Sequence, residues 1–171
     1  MPVMPIGAFM VAEAAELAGH KVSVLDLMFE RDPARAIALA LRKSNPDVIG
    51  LSVRNIDNND MRDPAFYIPG LRSLIQSIRS RTEVPIVLGG SALTVMPEEI
   101  LRATGISSAV LGDGEVTFPL LPKRLSRGEP LDDLVGIALL AAGAFRANPP
   151  ASTGARNDCM TPDYQRWIDI R

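Results

Sequence analysis

Three short apolar runs constrain what this chain can fold into, because each gives way abruptly to polar or glycine-rich sequence. Val48-Ile49-Gly50-Leu51-Ser52-Val53 runs into Arg54-Asn55, Val84-Pro85-Ile86-Val87-Leu88 into Gly89-Gly90, and Ala109-Val110-Leu111 into Gly112-Asp113-Gly114-Glu115. Short runs of continuous apolarity suit strands buried on both faces, the habit of parallel sheets. In open α/β sheets ligands bind beyond the carboxyl ends of the strands. Glycines placed there let the backbone approach a large ligand and adopt positive φ. Glycine clusters at successive strand ends therefore predict one binding edge.

The segments between these runs read as helices. Residues 6–17 are apolar and alanine-rich, with Glu13 and Glu16 marking a solvent face and Gly19 ending the helix. Lys21-Val22-Ser23-Val24-Leu25-Asp26 alternates and is predicted to be a strand. Asp32-Pro33 supplies an N-cap acid and a first-turn proline for a helix reaching Lys43. Residues 67–81 place Leu71, Leu74, Ile75 and Ile78 on one helical face, Pro97-Glu98-Glu99 starts another helix, and residues 117–126 form the last. Strands alternating with such helices predict an α/β fold, a doubly wound parallel sheet of at least four strands in a flavodoxin-like three-layer sandwich. After Leu134 the texture changes to a small hairpin over residues 135–146. From Asn148 onward, Pro149-Pro150, Ser152, Thr153, Gly154 and Asn157 give a linker composition. The expected division is a domain over 1–147 and a tail over 148–171.

Composition excludes several classes. The 171 residues carry a formal charge of −2, and no basic stripe accompanies it, so no nucleic acid is expected. No apolar stretch is long enough to span a membrane and no signal peptide opens the chain. The lone Cys159 rules out an internal disulfide, and with His20 the single histidine a structural zinc site is not expected. The cytoplasm is the expected compartment. No acid, base and nucleophile gather in a pattern that predicts catalysis, and no metal ligand set is legible.

Taken in order, Pro5-Ile6-Gly7, Gly19-His20-Lys21-Val22, Asp47-Val48-Ile49-Gly50-Leu51-Ser52, Val87-Leu88-Gly89-Gly90 and Gly112-Asp113-Gly114-Glu115 resemble the cobalamin-binding domain that precedes the catalytic barrel in cobalamin-dependent radical SAM enzymes. The resemblance covers roughly residues 5 to 147, and Pro162-Asp163-Tyr164 looks like the linker into that barrel. It implies cobalamin across the carboxyl edge of a Rossmann-like sheet. Ser52, Gly89, Gly90, Gly112, Gly114 and Glu115 would line the cleft for its nucleotide tail, with Asp26, Arg54 and Asn55 nearer the corrin.

Departures from the family pattern carry weight too. The methionine-synthase-type domain has DxHxxG with histidine as the lower cobalt ligand; here Asp26-Leu27-Met28-Phe29-Glu30-Arg31 keeps the aspartate without the histidine. The resemblance thus implies cobalamin bound without histidine ligation. No CxxxCxxC occurs, so an iron-sulfur cluster and S-adenosylmethionine belong only to a full-length parent. That parent, expected to be a methyltransferase, would supply a radical SAM barrel in cis or in trans, and the isolated chain is expected not to be catalytic. The family's first, central strand would precede Pro5, so the sheet is expected to lack it, either closing up or taking a strand from another chain.

Other ligands stay open on this fold. A nicotinamide Rossmann domain needs GxGxxG after its first strand, whereas Gly112-x-Gly114 follows the last and Thr117 stands where the third glycine belongs. A receiver domain needs an aspartate where Ser52 stands. A flavin or other small-metabolite module, or a non-binding truncated remnant, remains the alternative. Among single residues, His20 reads as a turn residue and Met28 with Phe29 as hydrophobic cover. Asp57 and Asp60 read as members of a solvated loop rather than magnesium ligands.

Overall fold

A computed structural model describes residues 4–28, 30–58, 60, 62–150 and 163–167. The chain opens on helix α1 (Ile6–Leu17), which stops where Gly19 turns to φ +88° and the His20 amide reaches back to the Ala15 carbonyl at 3.0 Å. Helix α2 (Pro33–Ser44) starts as its sequence demands: the Asp32 carboxylate accepts the Arg35 amide at 3.0 Å, and Asn45 ends the helix in the left-handed region. Strand β1 (Ile49–Ser52), helix α3 (Ile68–Arg79) and strand β2 (Ile86–Gly89) follow. Next come the short α4 (Ser91–Val95), α5 (Pro97–Thr104) and β3 (Ser108–Val110).

The predicted helix over 117–126 is broken into three pieces: α6 (Gly114–Thr117), a 3₁₀ turn (Phe118–Leu120) and α7 (Leu121–Ser126). Pro119 and Pro122 each remove an amide that a continuous helix would use, and each sits in the first turn of the piece it opens. Strands β4 (Ile137–Ala141) and β5 (Ala144–Ala147) make the expected hairpin, with Ala142 and Gly143 at positive φ in its turn. A single turn of helix, α8 (Tyr164–Trp167), lies in the stretch expected to be tail. Phe29, Asn59 and residues 151–162, Cys159 among them, lie outside the described residues.

Among the described residues the sheet has five strands, in the order β1-β2-β3-β4-β5. β1, β2 and β3 are parallel, whereas β4 pairs antiparallel with β3 and β5 with β4. Among the described residues the sheet is therefore mixed, with three parallel strands rather than four or more. Residues 21–26, predicted to be a strand, are extended but belong to no ladder among the described residues.

Alternate residues of the strands feed two apolar layers. Ile49, Leu51, Ile86, Leu88 and Ala109 face a cluster closed by Ile37 of α2, Ile75 and Ile78 of α3, and Ile100 and Leu101 of α5. Val87, Val110 and Ile137 face the other way, toward Phe118, Leu121 and Leu134. Burial of side chains such as Leu88, Leu93 and Ile100, each at 2% exposure or less, supplies roughly 1.5–3 kcal/mol apiece. Layered helices on both faces of this sheet leave its carboxyl edge as the place where turns gather.

Candidate functional site

The three turns beyond β1, β2 and β3 are tied to one another by backbone and hydroxyl groups. Ser52 stands opposite Gly89 in the β1–β2 register. One residue on, the Val53 amide donates to the Gly89 carbonyl at 2.7 Å, and the Ala92 amide donates to the Val53 carbonyl at 3.1 Å. The Ser91 hydroxyl donates to the Arg54 carbonyl at 2.7 Å, fastening the β1 turn to the start of α4. The Gly112 amide reaches the Thr94 hydroxyl at 3.3 Å, fastening the β3 turn to the same helix. Ser52, Arg54, Asn55, Gly90 and Gly112 are exposed along this edge, and Gly89, Gly114 and Glu115 are half-buried.

Asp26 lies on the connection between α1 and α2. Its carboxylate accepts the Met28 amide at 2.9 Å, a tight Asx turn, and Leu27 between them packs into the cluster that holds Leu51 and Ile56. The contacts beyond the three strands join the turns that carry Ser52, Arg54, Gly89, Gly90 and Gly112, and Gly114 and Glu115 follow in the first turn of α6.

The glycines differ in why they must be glycine. A Cβ at Gly90, whose φ is +96°, would stand 2.6 Å from the Val53 carbonyl oxygen. At Gly112 it would meet the Pro150 Cβ at 2.7 Å, and at Gly114 the Val11 Cγ2 at 2.8 Å. These are demands of the fold: a strand-end turn, the approach of the residues after β5, and close packing of α1 on α6. Gly89 is otherwise, because the nearest atom to its missing Cβ is the Val110 carbonyl oxygen at 3.9 Å. Packing within the described residues does not require a glycine at this position.

The loop from β1 to α3 is a built hairpin rather than a slack polar run. The Asn58 side-chain oxygen accepts the Ala65 amide at 3.0 Å and its amide nitrogen donates to the Asp63 carbonyl at 2.7 Å. Asp60 caps the Arg62 amide at 2.8 Å, so its carboxylate serves the turn. Asp57 bridges to Phe66, and the Tyr67 amide returns to the Ile56 carbonyl at 2.8 Å. No group of three or more histidine, cysteine, aspartate or glutamate side chains suited to a metal occurs among the described residues.

The sequence reading missed Ser91 and Thr94, whose hydroxyls join the turns. It also missed Phe66, Tyr67 and Val95, large apolar side chains that stay 68%, 46% and 75% exposed. Ser91 had a signal, since it follows the double glycine at a helix start. Thr94 had none, because its partner Gly112 comes from another strand. His20 is not at this edge: its Nε2 is 2.8 Å from the Pro119 carbonyl of the 3₁₀ turn. The clearest protonation shifts among the described residues lie between α7 and the loop before β4. There the hydrogen bond from the Arg124 guanidinium holds the Asp133 carboxyl below its ordinary value, and the same bond raises Arg124.

A mixed Rossmann-like sheet with glycine turns gathered at its carboxyl edge is the architecture of a cofactor-binding domain. The B12 binding domain family matches residues 1–121, and the chain belongs to that family. It is 28% identical over 155 residues to the tryptophan 2-C-methyltransferase of Streptomyces laurentii, covering 88% of this chain and 26% of that protein. It is 27% identical over 152 residues to the hopanoid C-3 methylase of Methylococcus capsulatus, covering 87% of this chain and 27% of that one. The chain thus spans about a quarter of the length of these relatives. Among solved structures, the radical S-adenosylmethionine methyltransferase TsrM from Kitasatospora setae, with cobalamin and a [4Fe-4S] cluster bound, superposes with a TM-score of 0.81 at 28% identity, over 94% of this chain and 29% of that one. The cobalamin-dependent radical enzyme OxsB shares the fold, with a TM-score of 0.68 at 21% identity over 89% of this chain and 20% of that one.

Proposed function

We propose that this chain is the cobalamin-holding module of a radical SAM methyltransferase, with the cofactor laid across the carboxyl edge and no histidine on its cobalt. One observation carries the placement: the open backbone at Gly89, in register with the exposed Ser52, where a thin, extended nucleotide tail can run against the sheet. Ser52 offers a hydroxyl to that tail. Gly90, Gly112 and Gly114 shape the turns around it, and Glu115 stands in the first turn of α6. Asp26, Arg54 and Asn55 rim the edge where a corrin would spread. The exposed apolar faces of Met28, Phe66, Tyr67 and Val95 suit a large, largely apolar macrocycle.

The absence of histidine ligation rests on two observations. The position after Asp26 that would carry the ligand is Met28, and the single histidine is held at the 3₁₀ turn by Pro119. When bound, cobalamin supplies the reactive cobalt–carbon bond, and the protein supplies orientation and exclusion of water. The role of this chain is to hold the cofactor against a barrel that carries the cluster, and the names of the relatives, a tryptophan 2-C-methyltransferase and a hopanoid C-3 methylase, support methylation as the reaction of the whole enzyme.

Titration with hydroxocobalamin or methylcobalamin, followed by the visible spectrum, tests the reading. Saturable binding is expected, with a spectrum lacking protein-imidazole ligation and unchanged by His20→Ala. Gly89→Leu should abolish binding while leaving the circular dichroism intact. Saturable binding of flavin but not cobalamin would overturn it. Purified chain given S-adenosylmethionine and reductant should form neither methylated product nor 5′-deoxyadenosine.

A further inference from the structure

The edge of the sheet opposite the glycine turns is indented as well. A cleft of about 550 Å³ opens where β2 and β3 begin, between the end of α3 and the layer of α7. That volume falls within the range of small-molecule sites, roughly 300–1,000 Å³. Ser108, the first residue of β3, lines it. Val110 of the same strand faces the apolar layer of Leu121 and Leu134, against which Leu125, Leu131 and Leu139 pack. Side chains two apart on a strand share a face, so Ser108 looks into that layer, and the same three leucines line the cleft with it.

Ser108 is the exception among the buried polar side chains of the described residues. Thr104 donates its hydroxyl to the Ile100 carbonyl at 2.7 Å, and Thr117 to the Val135 carbonyl at 2.5 Å. Ser108 is 6% exposed, yet its hydroxyl has no hydrogen-bond partner among the described residues. No side-chain oxygen or nitrogen fully shut away from solvent is left unpaired there, so the Ser108 oxygen keeps an opening on the cleft. A hydroxyl carried into an apolar layer costs free energy until it is bonded. Two charged groups on the opposite wall are also uncommitted. The Arg79 guanidinium gives Nη2 to the Gly105 carbonyl at 3.1 Å, which uses one of its several donors, and it pairs with no carboxylate among the described residues. Glu83 is exposed in the turn from α3 to β2 and pairs with no cation there, Arg79 included.

We infer that this cleft binds a small, branched aliphatic amino acid as its zwitterion. The free donors of Arg79 take the carboxylate, Glu83 takes the ammonium group, and Leu125, Leu131 and Leu139 take the side chain. Ser108, at the strand start between the charged and the apolar wall, gives the head group the hydrogen bond that its own surroundings do not supply. A dipolar head group answers both charges at once. An aliphatic acid would leave Glu83 without a partner, and an aliphatic amine would leave Arg79 without one. β2 begins in the cleft and ends at Gly89, so the cleft and the candidate cofactor edge lie at opposite ends of one strand. The inference does not depend on which cofactor the carboxyl edge binds.

The test titrates L-leucine into the chain and follows the amide NMR shifts. Isocaproate and isoamylamine serve as analogues that lack the ammonium group and the carboxylate. Saturable shifts are expected at Glu83, Ser107, Ser108 and Leu139, with none at Gly89 or Gly112. Each analogue should bind about tenfold more weakly than leucine, or worse. Ser108→Ala and Arg79→Gln should weaken leucine by a similar factor, and thermal melting checks that both variants stay folded. Ser108→Ala separates binding from folding. Removing an unpartnered hydroxyl should leave the Tm of the free chain unchanged or higher, while the rise in Tm that leucine produces shrinks. Shifts that never saturate, meaning that water alone fills the cleft, would overturn the inference. So would equal binding of the three compounds, which marks a plain apolar crevice, or an unchanged leucine affinity in Ser108→Ala. Saturation at Gly89 and Gly112 instead would put the amino acid at the other edge and overturn it too.

Discussion

A Cβ on Gly90 would stand 2.6 Å from the carbonyl oxygen of Val53 and 3.0 Å from its nitrogen. The end of β1 and the turn after β2 are therefore in backbone contact, and the glycine exists for that contact. Gly90→Ala adds both the overlap and an unfavourable positive φ, a cost of about 2–4 kcal/mol. Gly89→Ala has neither and should change stability by less than about 1 kcal/mol. Urea denaturation of the two variants checks the contrast. Equal destabilisation would mean that the strand end is not built this way. The same contrast makes Gly89, not Gly90, the position at which a lost ligand can be told from a lost fold.

Gly50 has a different neighbour. The Phe118 ring occupies the space where a Cβ at residue 50 would go, with Cζ at 2.8 Å. Gly50→Ala is expected to cost about 1–3 kcal/mol by overpacking. In a Phe118→Leu background the same substitution should cost distinctly less, because the smaller side chain vacates the contact. A double-mutant cycle measures the difference; additive costs would mean that ring and glycine do not touch.

Much of this architecture was readable before any coordinate, and the failures have a common cause. Asp32-Pro33, Gly19 and Pro97 are local signals, and each ends or starts a helix where it stands. The hairpin over β4 and β5 was legible in itself, but its antiparallel docking on β3 was not, because pairing is not written in either strand alone. Residues 21–26 have the alternation of a strand but pair with no strand among the described residues. The candidate glycines stand out in the sequence by their position after strands, yet Val53, Pro150 and Val11, which require three of them, come from distant parts of the chain. Thr94 was missed for the same reason.

Arg124 and Asp133 make a two-pronged ion pair, at 2.5 and 2.9 Å, between α7 and the loop before β4. The guanidinium lowers the Asp133 pKa in the folded chain. A lowered folded pKa means that the pair's contribution is full above the unfolded aspartate's pKa, near 4, and is lost as pH falls through the lower folded value. Thermal melting of the parent chain and Asp133→Asn should therefore differ at neutral pH and converge in strong acid. Added salt should narrow the neutral-pH difference, since both groups lie at the surface. A gap that widens on acidification would contradict the assignment.

The Trp167 indole donates to the Glu13 carboxylate at 2.9 Å, across 154 residues of sequence. Beside it Arg166 pairs with Glu16 at 2.5 Å and stacks its guanidinium 5.3 Å from the indole ring centre. α8 is thus clamped to α1, whose Val11 abuts Gly114 at the carboxyl edge, so the end of the chain is linked through one helix to the candidate site. Glu13→Ala removes the acceptor and should destabilise the fold by about 1 kcal/mol, with a red shift of the emission from the single tryptophan. Glu13→Gln keeps an acceptor oxygen and should preserve most of both signals. The shift reports the clamp directly, because a helix merely weakened at residue 13 would leave the indole environment unchanged. If Glu13→Ala and Glu13→Gln give the same emission as the parent chain, α8 is not held on α1 in solution.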